Sequence, residues 1–187
     1  EVHDHLKEQT GSWHGKSVLD VGCGPGRILM RGLGEAAALT GVDLSPEMIK
    51  AARRNLGGAA SLVTGDAYDL PFAENTFDIA LSTCVLFLLP EPEKGISEMI
   101  RVTNDGGVVA MLNPSRQMDP EHAEQYCSKH GIEGFERETL VKWSNVSTRR
   151  HRYGSDQLTG ILTESGAEMV THEEVLDGLA IITVAGL

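Results

Sequence analysis

An apolar run that opens into three alternate glycines, Val18-Leu19-Asp20-Val21-Gly22-Cys23-Gly24-Pro25-Gly26, limits what this chain can fold into more than any other feature. Valine and leucine favour a buried, pleated strand. Glycines at every second position then allow backbone angles and close approaches that a side chain forbids. A strand of this kind delivers a loop on whose bare main chain a ligand can lie, with a helix expected to follow. A glycine turn without a ligand is the plain alternative. It is disfavoured because two further apolar runs also end in carboxylates, Asp43 and Asp66.

Short apolar runs at Ser17–Val21, Ala38–Val42, Ala60–Val63, Phe77–Ser82 and Val108–Leu112 alternate with helical patterns, the rhythm of a parallel sheet. Ser45-Pro46-Glu47 carries three helix-start signals: a capping hydroxyl, proline in the first turn, and an acid at the positive end of the dipole. Met48, Ile49, Ala52 and Leu56 recur at helical spacing until Gly57-Gly58 stops the element. Asn104-Asp105-Gly106-Gly107 reads as a turn into the fifth strand, and Asn113-Pro114 as that strand's end. Beyond it, Asp119-Pro120 opens a helix reaching His130, an amphipathic stretch spans Glu136 to Val146, and a capped helix runs from Ser155 to Ser165. Two apolar strands, near Glu168–Thr171 and Leu179–Val184, are joined by so short a link that they must be antiparallel. At 187 residues the chain fits a single α/β domain, 1–187. Residues 114–154, the longest stretch the sheet does not need, read as an insertion above it.

Composition excludes several partners. The net charge of −11 opposes binding to the phosphate backbone, so no nucleic acid is expected. No apolar run approaches the roughly 20 residues that cross a bilayer, and no basic segment precedes an apolar one at the start; a cytoplasmic protein without a membrane partner is expected. Cys23, Cys84 and Cys127 lie far apart and show no ligand spacing, so they read as reduced thiols and no metal is expected. The basic run Arg149-Arg150-His151-Arg152 is either a solvated loop or a seat for an anionic substrate.

Two nucleoside cofactors compete for the glycine loop. A nicotinamide dinucleotide normally takes GxGxxG, with its pyrophosphate over a helix N-terminus. Here the spacing is GxGxG, and Arg27 stands where the third glycine would be. Asp20, two residues before Gly22, would face that pyrophosphate with a like charge. Beside an ammonium group the same carboxylate is attracted, more strongly in a partly desolvated cleft than in water. Asp43 suits a pair of ribose hydroxyls, because an ionised carboxylate only accepts hydrogen bonds, but a dinucleotide would use it too.

The ordered series from residue 17 to 113 resembles the class I S-adenosylmethionine-dependent methyltransferases, most closely their ubiquinone/menaquinone-biosynthesis-like small-molecule branch. The matching segments are Asp20-Val21-Gly22-Cys23-Gly24-Pro25-Gly26, Gly41-Val42-Asp43-Leu44-Ser45-Pro46-Glu47-Met48, Gly65-Asp66-Ala67-Tyr68-Asp69-Leu70-Pro71-Phe72, Phe77–Ser82, and the helix carrying Glu98–Val102 before Gly106-Gly107. The resemblance implies a Rossmann-like, doubly wound sheet of seven strands, mostly parallel, with the last strand antiparallel. It implies S-adenosylmethionine as cofactor and S-adenosylhomocysteine as product, held by Asp20, Gly22, Cys23, Gly24, Gly26, Asp43, Leu44 and Met48. Asp66 would meet the adenine amino group, Ala67 and Leu44 would line the ring, and Ser82 or Thr83 would lie near the methionine portion. The chain departs from the family at Asn104-Asp105, where Lys-Pro is common, and at Phe87, where many relatives have histidine. Only about 16 residues precede the first strand, fewer than the helical lid of many relatives.

Methyl transfer from a sulfonium is an in-line displacement that depends on near-attack geometry, so no universal catalytic residue is required. Where the acceptor must lose a proton, His122, His130, His151 and Tyr153 are the candidate bases, each of which also suits a surface role. The small-molecule acceptor is expected against the 114–154 segment, with Trp143, Arg149, Arg150, His151, Arg152 and Tyr153 as candidate contacts; Trp143 fits a core position equally well. The chain is expected to act as a monomer or homodimer. An NAD-linked oxidoreductase, or a binding module that keeps the cofactor fold and acts on a protein partner, are the alternatives.

Overall fold

The computed structural model describes residues 2–187; Glu1, the first residue of the expected domain span, lies outside them. Seven strands form one sheet: β1 (Ser17–Val21), β2 (Ala38–Asp43), β3 (Ser61–Thr64), β4 (Phe77–Thr83), β5 (Thr103–Pro114), β6 (Met169–Val175) and β7 (Ala180–Gly186). Their order is β3-β2-β1-β4-β5-β7-β6. Strands β1 to β5 pair in parallel, and β7 runs antiparallel to both β5 and β6. The chain steps from β1 outward to β3, then returns to lay β4 on the other side of β1. That reversal opens a crevice at the carboxyl ends of β1 and β4, where open α/β sheets take their ligands.

The helices are α1 (Val2–Gln9), α2 (Pro46–Leu56), α3 (Pro92–Val102), α4 (Pro120–His130), α5 (Gly134–Ser147) and α6 (Ser155–Glu164). In α2 each start and stop signal works as its chemistry requires. The Ser45 hydroxyl accepts from the Met48 amide at 3.3 Å, Pro46 opens the first turn, and Gly57 closes the helix in the left-handed conformation at φ 57°. Ile49, Ala52 and Leu56 are buried from it. On one face of the sheet α1 and α2 share an apolar core with Val18, Leu81 and Leu112; on the other, Ile96 and Met99 of α3 and Leu158 and Leu162 of α6 pack with Leu19, Val109 and Met111.

Three expectations are corrected. The glycine loop is followed by only a short 3₁₀ turn, Leu29–Gly32, rather than by an α-helix. Gly32 lies so close to Trp13 that a Cβ there would come within 2.7 Å of the ring, and Gly34 takes φ +77°. Trp13 and Leu6 are both fully buried and share a core with Leu29 of that turn. Asn104–Gly107 is not a turn but the first part of β5, where the register shifts between Phe77 and Ile79. Gly106 at φ +73° absorbs that irregularity. Nor does the strand break after Leu112: Asn113 and Pro114 are its last two residues and pair with Ile181 and Ala180 of β7. The 114–154 segment also builds core: Met118, Ala123, Cys127 and Leu140 join the apolar cluster that holds Ala180 and Ile182 of β7.

Candidate functional site

The glycine loop is pinned to β2, whose Val42 carbonyl accepts from the amides of both Gly22 (2.8 Å) and Cys23 (3.0 Å). All three glycines take positive φ, but they serve different ends. A Cβ on Gly22 would lie 2.3 Å from Val85 Cγ2, and one on Gly26 would lie 2.7 Å from Leu56 Cδ1. Those two let neighbouring elements close over the loop. Gly24, at φ +50°, has nothing within 4 Å of where its Cβ would be. Its surface is the bare main chain the sequence called for.

Asp43 holds that surface in place. Its Oδ2 accepts from the Gly24 amide at 2.8 Å and its Oδ1 from the Ser45 amide at 2.9 Å. Each oxygen keeps a further lone pair for a ligand hydroxyl. Asp20 is fully buried, and among the described residues neither of its carboxylate oxygens has a hydrogen-bond partner. Burial, with the Asp43 charge added, pushes its carboxyl up to about 8. An unpaired buried carboxylate is costly unless a cation or hydrogen-bond donor meets it. Cys23 turns its side chain inward towards Gly41, where a Cβ would come within 2.8 Å of its Sγ. Burial, with the Asp20 and Asp43 charges added, raises that thiol to about 12, so Cys23 stays neutral and offers the site only backbone.

Beyond β2, Leu44 is 71% exposed and Met48 39%, an unusual opening of two apolar side chains beside carboxylates. Asp43 lies in register with Thr64 of β3, so Asp66 follows close by. Asp66 is exposed, its Oδ1 accepting from the Tyr68 amide at 3.0 Å, and Ala67 beside it is half-buried. Thr83 is half-buried at the end of β4. Ser82 beside it is buried, and its hydroxyl donates to the Val21 carbonyl at 3.0 Å, tying β4 to β1.

The six candidate acceptor contacts do not converge on one site. Arg149 and Arg150 are exposed and open onto a cavity of about 760 Å³ between α4 and α5, shared with Lys142, Glu138 and the mutually paired Arg137 and Glu124. Arg152 donates to the Arg116 carbonyl at 3.2 Å and is occupied in holding the chain. His151 and Tyr153 turn towards the sheet: the His151 amide donates to the Phe87 carbonyl, and the two rings stack at 6.0 Å. Burial keeps the Tyr153 hydroxyl protonated well above its usual range. Trp143 is half-buried and packs against the cores of both faces. Two candidate bases are spent elsewhere, His122 against Asp119 at 2.9 Å and His130 against Asp177 at 2.9 Å. Reading the sequence missed Val85, which stands over Gly22, and Cys84, held at φ +59° just after β4. It also missed Asn113, whose one signal was an amide closing an otherwise apolar strand.

Among the described residues no group of three or more His, Cys, Asp or Glu side chains could hold a metal, and no helix is long and apolar enough to cross a membrane. Comparison with known proteins matches a methyltransferase domain family to residues 19–111. A demethylmenaquinone methyltransferase of Desulfitobacterium hafniense is 38% identical over 120 residues, which is 60% of this chain and 47% of that protein. The chain thus spans about half the length of that relative. A protein of Encephalitozoon cuniculi assigned as a methyltransferase is 32% identical over 161 residues, covering 83% of this chain and 71% of its own length. The solved structure of an S-adenosylmethionine-dependent methyltransferase from Aquifex aeolicus has the same fold, with a TM-score of 0.73 at 19% identity over 98% of this chain and 88% of that one.

Proposed function

Because the chain belongs to the class I S-adenosylmethionine-dependent methyltransferases, we propose that it transfers a methyl group from that donor to a small-molecule acceptor. The observation that carries this reading is the pairing of an open glycine surface, Gly24, with a buried carboxylate that lacks a partner, Asp20. When bound, the sulfonium donor supplies a methyl group already activated for displacement. The chain's residues have to hold and orient it. Asp43 accepts from the two ribose hydroxyls while its other lone pairs keep the Gly24 and Ser45 amides. Asp20 meets the α-ammonium, and the backbone of Gly22, Cys23 and Gly26 shapes the loop. Leu44, Met48 and Ala67 give the adenine an apolar seat, Asp66 takes its amino group, and Thr83 borders the methionine portion. A dinucleotide would instead bring its pyrophosphate towards Asp20, offering that buried carboxyl no cation and repelling its charged form.

The acceptor enters from the 114–154 side. A small molecule is favoured by the charge of −11, which opposes a nucleic-acid substrate, and by the Desulfitobacterium relative, named for demethylmenaquinone. Arg149 and Arg150 belong to no ion pair among the described residues, and they would draw an acidic acceptor towards this rim. Methyl transfer from labelled S-adenosylmethionine to a panel of small acceptors tests the reading. With Arg149→Gln and Arg150→Gln together, KM for an acidic acceptor is expected to rise at low ionic strength and to approach the parent value at high salt, with cofactor affinity unchanged. An acceptor KM that stays constant at low salt removes the arginines from the site.

A further inference from the structure

Buried polar atoms without partners are rare, and each calls for an explanation. Among the described residues there are six such atoms: two belong to Asp20, one is Trp143 Nε1, and three belong to Asn113 and Tyr153. Both of the latter residues are 1% exposed. Asn113 lies directly opposite Ile181 on β7, and cross-strand partners share a face of the sheet. Ile181 belongs to the α3–α6 core, and so does Tyr153. The Tyr153 amide donates to the Pro114 carbonyl at 3.2 Å, and Tyr153 bridges to Ser115. The amide of Asn113 and the phenol of Tyr153 therefore stand on one face at one end of β5.

That end adjoins the donor crevice. The Cys84 amide donates to the Leu112 carbonyl, and Val85 covers Gly22. Only β4 separates β5 from β1. With strands spaced by about 4.8 Å, the Asn113 end lies about 10 Å from the glycine loop. The surroundings are apolar and aromatic, with Phe87, Met111 and Ile181 in the same core. Glu93 and Tyr68 are the ionisable groups that act on the Tyr153 hydroxyl through space, and neither is bonded to it.

We infer that Asn113 and Tyr153 form the subsite for the reacting end of the acceptor, and that this end is an uncharged aromatic alcohol of the phenol class. The inference rests on the methyltransferase reading above. The Tyr153 hydroxyl donates to the acceptor oxygen, and the Asn113 amide carbonyl accepts its proton. A charged end is disfavoured, because these apolar walls offer it no counter-charge and desolvation is costly. The departure at Phe87 fits the same picture, since an apolar ring replaces an ionisable one next to the subsite.

The probe is 4-fluorophenol, with 4-fluorotoluene as its apolar match, followed by fluorine NMR with and without S-adenosylhomocysteine. The parent protein is expected to bind the phenol about tenfold more tightly than the toluene, the difference one or two buried hydrogen bonds make. Tyr153→Phe and Asn113→Leu each erase that preference, while the S-adenosylhomocysteine Kd by calorimetry stays within about twofold. In the ligand-free state Tyr153→Phe should melt at or above the parent temperature, since it removes an unpaired buried hydroxyl. A parent without phenol preference, or a preference that survives both variants, overturns the subsite. So does a clear fall in the melting temperature of Tyr153→Phe, which would make the hydroxyl part of a structural network. Loss of S-adenosylhomocysteine binding in the parent would instead strike at the methyltransferase reading, and the phenol preference would still be decided by the ligand-free arm.

Discussion

Valine at position 24 is expected to abolish S-adenosylhomocysteine binding, by more than about a hundredfold, in a protein that still folds. Gly24 sits at φ +50°, and its Cβ position is open, so the protein itself leaves room for a side chain. The folded state bears only the strain of an L-residue in the left-handed region, about 1–2 kcal/mol, against a typical total stability of about 5–15 kcal/mol. The branched side chain would instead fill the space above the loop where the ligand has to lie. A matching change at Gly22 should behave differently, because even a Cβ there meets Val85 at 2.3 Å and the fault falls on packing. Circular dichroism and calorimetry on Gly24→Val check the claim. Undiminished affinity in a folded Gly24→Val protein would place the ligand elsewhere.

Binding is also expected to release a proton from Asp20. Its carboxyl, raised to about 8 by burial and then by the Asp43 charge, is protonated at neutral pH in the ligand-free chain. The unfolded chain has already lost that proton above about pH 4. The ligand-free fold therefore binds one proton more than the unfolded chain between about pH 4 and 8, and this group's contribution to stability falls as pH rises across that window. An ammonium brought next to Asp20 favours the carboxylate. Affinity for S-adenosylhomocysteine should then rise about tenfold per pH unit up to about pH 8, where Asp20 is ionised without help. Asp20→Asn should flatten the profile and bind more weakly at pH 8. Calorimetry in buffers of different ionisation enthalpy counts the protons directly. A flat profile in the parent would show that Asp20 does not change protonation on binding, and so does not face the ammonium.

Much of this architecture is legible because local chemistry decides it. The Ser45-Pro46 cap, the carboxylates at the ends of β2 and β3, and the antiparallel final hairpin follow from residues close together in sequence. What was not legible depends on distant partners. Nothing near Gly32 announces that the Trp13 ring will pack against it, and nothing near Gly106 shows that β5 starts before it. The same holds at the site. Nothing beside Ser82 shows that its hydroxyl will meet the Val21 carbonyl of β1. Arg152 looks like part of a basic seat until the Arg116 carbonyl takes its guanidinium. Asn113 and Tyr153 are far apart in sequence, and it is the bridge from Tyr153 to Ser115, with its amide on the Pro114 carbonyl, that brings Tyr153 to the end of β5.

The central claim is that the carboxyl ends of β1 to β4 hold S-adenosylmethionine, and calorimetric titration of S-adenosylhomocysteine into the parent protein and Asp43→Ala tests it most directly. Removing Asp43 takes away two acceptors for the ribose and frees the Gly24 amide it holds at 2.8 Å. Losing charge-assisted hydrogen bonds of this kind costs about 1.5–3 kcal/mol, roughly ten- to a hundredfold in affinity. The account predicts saturable binding in the parent, weaker by that factor in the variant, and no heat with NADH. A parent that binds NADH but not S-adenosylhomocysteine, or a variant whose affinity matches the parent's, would contradict it.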